Sequence, residues 1–131
     1  MTRVLIDTHV FLWWTSRSSR VQERWLELLE DPENVVYLSA ATAWEIDTNR
    51  RISKLEFEND VAVVAGEFGF LPLPISLSHA ALAGSMTWGH RDPFDRILVA
   101  QALQEELVLL SADAAMKSAP VFCEVPVMVV A

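Results

Sequence analysis

Short, continuous apolar runs alternate along the chain with longer segments in which apolar residues recur at helical spacing. Val4-Leu5-Ile6 ends at Asp7-Thr8, and the change of character in the following HVFLWW predicts a buried strand running into a helical turn. From about Ser19 to Asp31, Val21, Trp25, Leu26, Leu28 and Leu29 fall at helical spacing among charges, and Pro32 stops the pattern. Val35 to Leu38 reads as a second buried strand. Ser39 then leads into AATAWEIDTNRRISKL, a helix whose Ala41, Trp44 and Ile52 fall near one face, with Glu45 in its first half. The run from Asn59 to Phe70 predicts another helix, Leu71 to Ile75 a strand weakened by Pro72 and Pro74, and SHAALAGSMTW a helix opened by Ser78. In HRDPFDRILVAQA, Asp92 is placed to cap a helix with Pro93 at its first position and Asp95 three residues after the cap. Leu107 to Leu110 predicts a strand ending at Ser111-Ala112-Asp113, and Val127 to Val130 a last one.

Strands alternate with helices and are apolar throughout rather than every second residue. The expected fold is therefore α/β: one domain over residues 1–131, a three-layer α/β/α sandwich around a parallel sheet covered on both faces. An apolar content of 52% over 131 residues supports a sizeable core with some apolar surface left for a partner. The single cysteine, Cys123, between apolar neighbours, forms no internal disulfide and suits a reducing compartment. Asp7 interrupts any N-terminal signal-like run, and no stretch approaches the roughly 18 to 20 apolar residues that span a bilayer. A cytoplasmic location without membrane attachment is the expectation.

A formal charge of −8 argues against general nucleic-acid binding through phosphate contacts, and four unclustered glycines exclude the Gly-rich phosphate loops. The acids themselves suggest where the charge belongs. Asp7 and Asp113 follow strands, while Glu45 and Asp95 lie in early turns of helices that begin near strand ends. Carboxyl ends of parallel strands share one sheet edge, so all four acids are expected to converge there. Such a cluster repels itself unless cations neutralise it, and the ion suited to oxygen ligands is Mg2+ or Mn2+. Two such ions about 4 Å apart support phosphodiester hydrolysis without a catalytic His or Cys. Substrate contacts would then fall to local basic residues: Arg50, Arg51 and Lys54 beyond Glu45, and Arg91 and Arg96 beside Asp95.

The four segments VLIDTHVFLWW, VYLSAATAWEI, HRDPFDRILVAQA and LVLLSAD, in that order, resemble the motifs of PIN-domain ribonucleases of the VapC toxin type, over nearly the whole chain. The resemblance implies that Asp7, Glu45, Asp95 and Asp113 are the catalytic and metal-binding acids, with Thr8 and Ser111 as hydroxyl support. It also implies divalent-metal endoribonuclease activity, a cognate antitoxin, and a homodimer or toxin–antitoxin hetero-oligomer. Asp92 belongs to the DPFD motif and reads as a cap first and a site-edge residue second. Two positions depart from the pattern: Asn49 stands where relatives often carry Lys, and Ser53 where they often carry Gly.

Two other classes compete. A haloacid-dehalogenase-like phosphatase would carry a second Asp two residues after Asp7, where THV follows, and a receiver domain would carry a Lys after a late strand. A catalytically silent PIN-like partner-binding module is the other alternative, and four intact acids argue against it. His9, His79 and His90 are scattered, so polar satisfaction or edge positions are the expectation rather than ligation. Trp13, Trp14 and Trp44 are expected in the core, although adjacent Trp13 and Trp14 cannot both face it equally, which leaves one for a partner surface.

Overall fold

The computed structural model describes residues 1–51, 59–119 and 127–129. Five strands, β1 (Arg3–Ile6), β2 (Val35–Ser39), β3 (Leu71–Leu73), β4 (Val108–Ser111) and β5 (Val127–Val129), form one parallel sheet in the order β3-β2-β1-β4-β5. Six helices cover it: α1 (Thr8–Thr15), α2 (Glu23–Leu29), α3 (Ala40–Arg51), α4 (Val61–Glu67), α5 (Leu77–Ser85) and α6 (Pro93–Glu105). Successive β-strand side chains point to opposite faces, and β1 divides accordingly. Val4 and Ile6 join Val10, Phe11, Trp25, Ile46 and Val64 of α1–α4 in one buried cluster. Leu5 joins Ala83, Leu98, Val99 and Ala102 of α5 and α6 in the other. The chain is thus a three-layer α/β/α sandwich. No described helix is long and apolar enough to cross a membrane.

Local chemistry moves several boundaries from their expected places. The helix expected from Ser19 begins only at Glu23, because Ser18 builds a turn: its carbonyl accepts from the Val21 N–H and its hydroxyl from the Arg20 N–H. α4 is capped by Asp60, which accepts from the N–H groups of Ala62 and Val63. It ends at Glu67, and beyond it Gly69, with a φ of +76° and its N–H bonded to the Gly66 carbonyl, turns the chain into β3. α5 opens at Ser76 rather than Ser78, in a reciprocal capping box: Ser76 Oγ accepts from the His79 N–H and His79 Nδ1 from the Ser76 N–H. Pro72 is accommodated because β3 pairs only with β2, at the sheet edge. The last strand runs from Val127 to Val129; Ile52, Ser53, Lys54, Cys123 and Val130 lie outside the described residues.

Candidate active site

Strand order reverses direction at β1, which is flanked by β2 on one side and β4 on the other, so the crevice of a parallel sheet opens beyond the carboxyl ends of β1 and β4. Asp7 stands at that point. It caps α1 by accepting the Val10 N–H at 2.9 Å, and its other oxygen accepts the Ser111 hydroxyl at 2.5 Å and the Ala112 N–H at 3.3 Å. Burial outweighs these bonds and pushes its carboxyl above the usual range. Ser111 is completely buried, and its oxygen in turn accepts the Asp113 N–H at 3.0 Å, tying the end of β4 to the end of β1.

Glu45 projects from α3 to meet Thr8, whose hydroxyl donates to Glu45 Oε1 at 2.6 Å and also lies 3.3 Å from the Thr42 hydroxyl. Its carboxyl is raised, first by burial and further by the negative charges of Asp92 and Asp7. Asp92 caps α6, accepting the N–H groups of Phe94 at 2.9 Å and Asp95 at 3.1 Å. Asp95, in the first turn of α6, is pushed up to about 6, chiefly by burial, with Asp92 and Asp113 adding repulsion and the His90 bond opposing. Asp113 caps the short 3-10 helix Ala114–Ser118 through the Ala115 N–H. Glu45 is thus coupled to Asp7 and Asp92, and Asp95 to Asp92 and Asp113, at the carboxyl edge, with Asp92 as both cap and neighbour.

The histidines separate into different roles. His79 is buried, completes the α5 cap and meets Glu105 at 2.9 Å, which is polar satisfaction. His9 is exposed, 5.5 Å from the Trp13 ring, and its charge acts on Asp7 and Glu45. His90 is the residue that sequence reasoning set aside. Its Nε2 lies 2.6 Å from Asp95 Oδ2, and among the described residues His90, Asp95 and Asp113 place potential ligand atoms all within 4.8 Å of one another. The available signal was position: His90 is five residues ahead of Asp95 in the same motif, one loop away from the start of α6.

Among the five basic residues considered for substrate contact, Arg96 and Arg50 are engaged within the protein. Arg96 is engaged internally, donating to the carbonyls of Ala83 (2.7 Å), Met86 (2.7 Å), Trp88 (2.8 Å) and His90 (3.0 Å), so it builds the loop that carries His90 instead of facing solvent. Arg50 pairs with Asp47 and donates to the Asn59 carbonyl at 2.7 Å. Arg51 and Arg91 are exposed, and Lys54 falls outside the described residues. Trp44, expected in the core, is 56% exposed; Ala41, Thr42 and Ile46 form the buried face of α3 instead. Trp13 stacks on Trp25 at 6.2 Å, while Trp14 lines a surface cleft.

An α/β/α sandwich with carboxylates gathered at the switch point of a parallel sheet defines the class. The PIN domain family model matches residues 4–121, and the chain belongs to that family. No curated protein sequence matches it. Solved structures share the fold at low identity. A VapBC2 complex from Rickettsia felis bound to a promoter DNA fragment matches at 14% identity over 97% of both chains, with a TM-score of 0.63. A toxin–antitoxin complex from Klebsiella pneumoniae matches at 19% identity over 97% of this chain and 96% of that one, with a TM-score of 0.60. FitAcB from Neisseria gonorrhoeae matches at 21% over 95% and 96%, with a TM-score of 0.58.

Proposed function

We propose that the protein is a divalent-metal-dependent endoribonuclease, the toxin of a toxin–antitoxin pair, with Asp7, Glu45, Asp95 and Asp113 as its catalytic and metal-binding acids. The observation that carries this reading is the clustering of acids at one sheet edge, where His90, Asp95 and Asp113 bring ligand atoms within 4.8 Å of one another and burial raises the carboxyls of Asp7, Glu45 and Asp95. Burying mutually repelling acids is costly, and a hard cation is the partner that offsets the cost. The donor set fits: oxygens of Asp95 and Asp113 lie with one imidazole within 4.8 Å, and Glu45 is coupled to Asp7 and to Asp92, which in turn repels Asp95. Bound Mg2+ or Mn2+ would polarise the scissile phosphate and activate water for attack.

The chain's own residues hold that arrangement rigid. Ser111 and the Val10 and Ala112 amides fix the Asp7 carboxylate, and Thr8 fixes Glu45. His90 fixes one oxygen of Asp95 through its Nε2. Asp92 holds the start of α6, and with it Asp95, in place through its cap bonds. The antitoxin reading is supported by the toxin–antitoxin complexes that share the fold and by a cleft of about 580 Å³ in which apolar Trp14, Val21, Leu26, Leu29 and Phe68 are joined by Arg17, Ser18 and Glu30. An apolar partner segment would gain most of its affinity there. The same likeness supports a homodimer or hetero-oligomer as the working form.

The test is cleavage of an RNA containing single-stranded loops by purified protein without a partner, with EDTA, Mg2+ or Mn2+. Cleavage that appears only with the cation and disappears in Asp95→Asn supports the reading. Cleavage by Asp95→Asn at the wild-type rate overturns the assignment, and a protein inert toward RNA under every cation favours a silent partner-binding module.

A further inference from the structure

Trp44 immediately precedes Glu45 on α3, and Phe94 immediately precedes Asp95 on α6. Their rings meet at 4.7 Å between centroids with an interplanar angle of 73°, an edge-to-face contact across the same helix junction that brings Glu45 within reach of Asp92's charge. Trp44 remains 56% exposed, whereas Trp25 is fully buried. An indole left open beside a cluster of acids loses hydrophobic stabilisation without an evident structural return.

The electrostatics of the chain indicate what such a surface is for. With a formal charge of −8, long-range attraction for a polyanion is unfavourable. Of the basic residues that flank the acidic segments in sequence, Arg50 and Arg96 are engaged with carbonyls and a carboxylate of the protein itself, which leaves Arg51 and Arg91 as the exposed ones among the described residues. Affinity for a nucleic-acid strand must then come largely from a source that charge does not oppose. Stacking of a base on an aromatic side chain is such a source, since every base presents a π-face.

We propose that the Trp44–Phe94 ledge is a stacking platform for one nucleobase of the RNA strand, next to the phosphate that enters the acidic crevice. This rests on the nuclease reading of that crevice. Trp44 is the stacking residue, and Phe94 holds the indole in orientation from below. The ledge recognises an unpaired base, because a base within a helix has its faces occupied, so it selects loops and single strands over duplex.

The experiment compares the full-length wild type with Trp44→Leu and Trp44→Phe on a short single-stranded RNA and on the same RNA carrying one abasic site at each position in turn. Binding is read by anisotropy of the labelled RNA with Ca2+ in place of the active cation, and cleavage separately with Mn2+. Trp44→Leu is expected to raise Kd and KM by between about 5- and about 150-fold, the worth of one base–aromatic stack. The loss should fall on KM rather than kcat, with Mn2+ affinity unchanged and melting temperature lowered only by the lost ring contact with Phe94, and Trp44→Phe should restore most of it. One abasic position should weaken binding to wild type and leave Trp44→Leu indifferent. If wild type cleaves RNA and Trp44→Leu binds it equally well, the ledge proposal is wrong while the nuclease reading stands. If Trp44→Leu dissociates a dimer in sedimentation and no abasic position distinguishes the two proteins, the ledge is a contact between copies of the chain instead. Wild type that neither binds nor cleaves any of these RNAs overturns the nuclease reading and the ledge with it.

Discussion

Replacing Asp95 with Asn should make the metal-free protein more stable at neutral pH. Asp95 is pushed from 3.8 to about 6 by burial and by the charges of Asp92 and Asp113, with the His90 bond opposing, so the folded protein prefers this side chain neutral. A folded-state value above the unfolded one means that the native state binds the proton more tightly. Its contribution to stability is present below about pH 4 and is lost as pH rises through about 6. The difference of about two units corresponds to an upper limit of about 3 kcal/mol at pH 7 and above. Asn keeps the shape without the charge and removes that loss. Urea melts in EDTA from pH 4 to 8 would measure it. Wild-type stability should decline between pH 4 and 6 relative to Asp95→Asn, and the variant should exceed wild type at pH 8, by up to that limit. Saturating Mn2+ should raise wild-type stability and reduce or reverse the gap, because an ion that binds only the folded state stabilises it by mass action. If Asp95→Asn is less stable than wild type at pH 8 in EDTA, the carboxylate is a net structural asset and the strained-cluster account fails.

Four further substitutions separate framework from chemistry. Asp92→Ala should cost about 1 kcal/mol in denaturant melts through loss of the α6 cap while most RNA cleavage is retained; unchanged stability with lost cleavage would move Asp92 into the chemistry. Arg96→Met removes charged donors from the carbonyls of Ala83, Met86, Trp88 and His90 and should destabilise by about 3 kcal/mol or more, read by the same melts. A loss under about 0.5 kcal/mol, the range of ordinary surface changes, would show that the loop does not depend on it. Ser76→Ala should cost about 1 kcal/mol and Ser78→Ala close to nothing, since only Ser76 caps α5; equal effects would contradict that assignment.

The strands were legible because parallel strands covered on both faces are written as unbroken apolar runs, and Val4-Leu5-Ile6 and Val35 to Leu38 stand out against amphipathic neighbours. The acids were legible for a related reason: Asp7 and Asp113 sit where those runs stop, and a sheet of parallel strands has one carboxyl edge. The α6 cap was readable from Asp92 and Pro93 alone, because the capping chemistry is local. What escaped was set by contacts distant in sequence. Arg96 looks like a solvated charge until the loop from Ala83 to His90 folds over it and presents four carbonyls. Trp44 shares the helical spacing of core residues, yet α3 turns Ala41, Thr42 and Ile46 inward and leaves the indole against Phe94. His90 gave no metal-ligand spacing along the chain, since its neighbour Asp113 arrives from the end of β4. Ser78 is an equally good cap by residue type, and His79's reciprocal bond to Ser76 decides between them.

The acids clustered at the sheet edge are proposed to form a divalent-cation site that hydrolyses RNA. The measurement is the single-turnover cleavage rate of one loop-containing RNA by wild type, Asp7→Asn, Glu45→Gln, Asp95→Asn and Asp113→Asn, each with EDTA and across a Mn2+ titration. Wild type should be inactive in EDTA and active with Mn2+. Each variant should lose more than the roughly 100-fold that loss of even an outer hydrogen-bonding partner can cost, with weakened dependence on Mn2+. Wild-type cleavage that persists in EDTA, or variants that cleave at the wild-type rate, would contradict it.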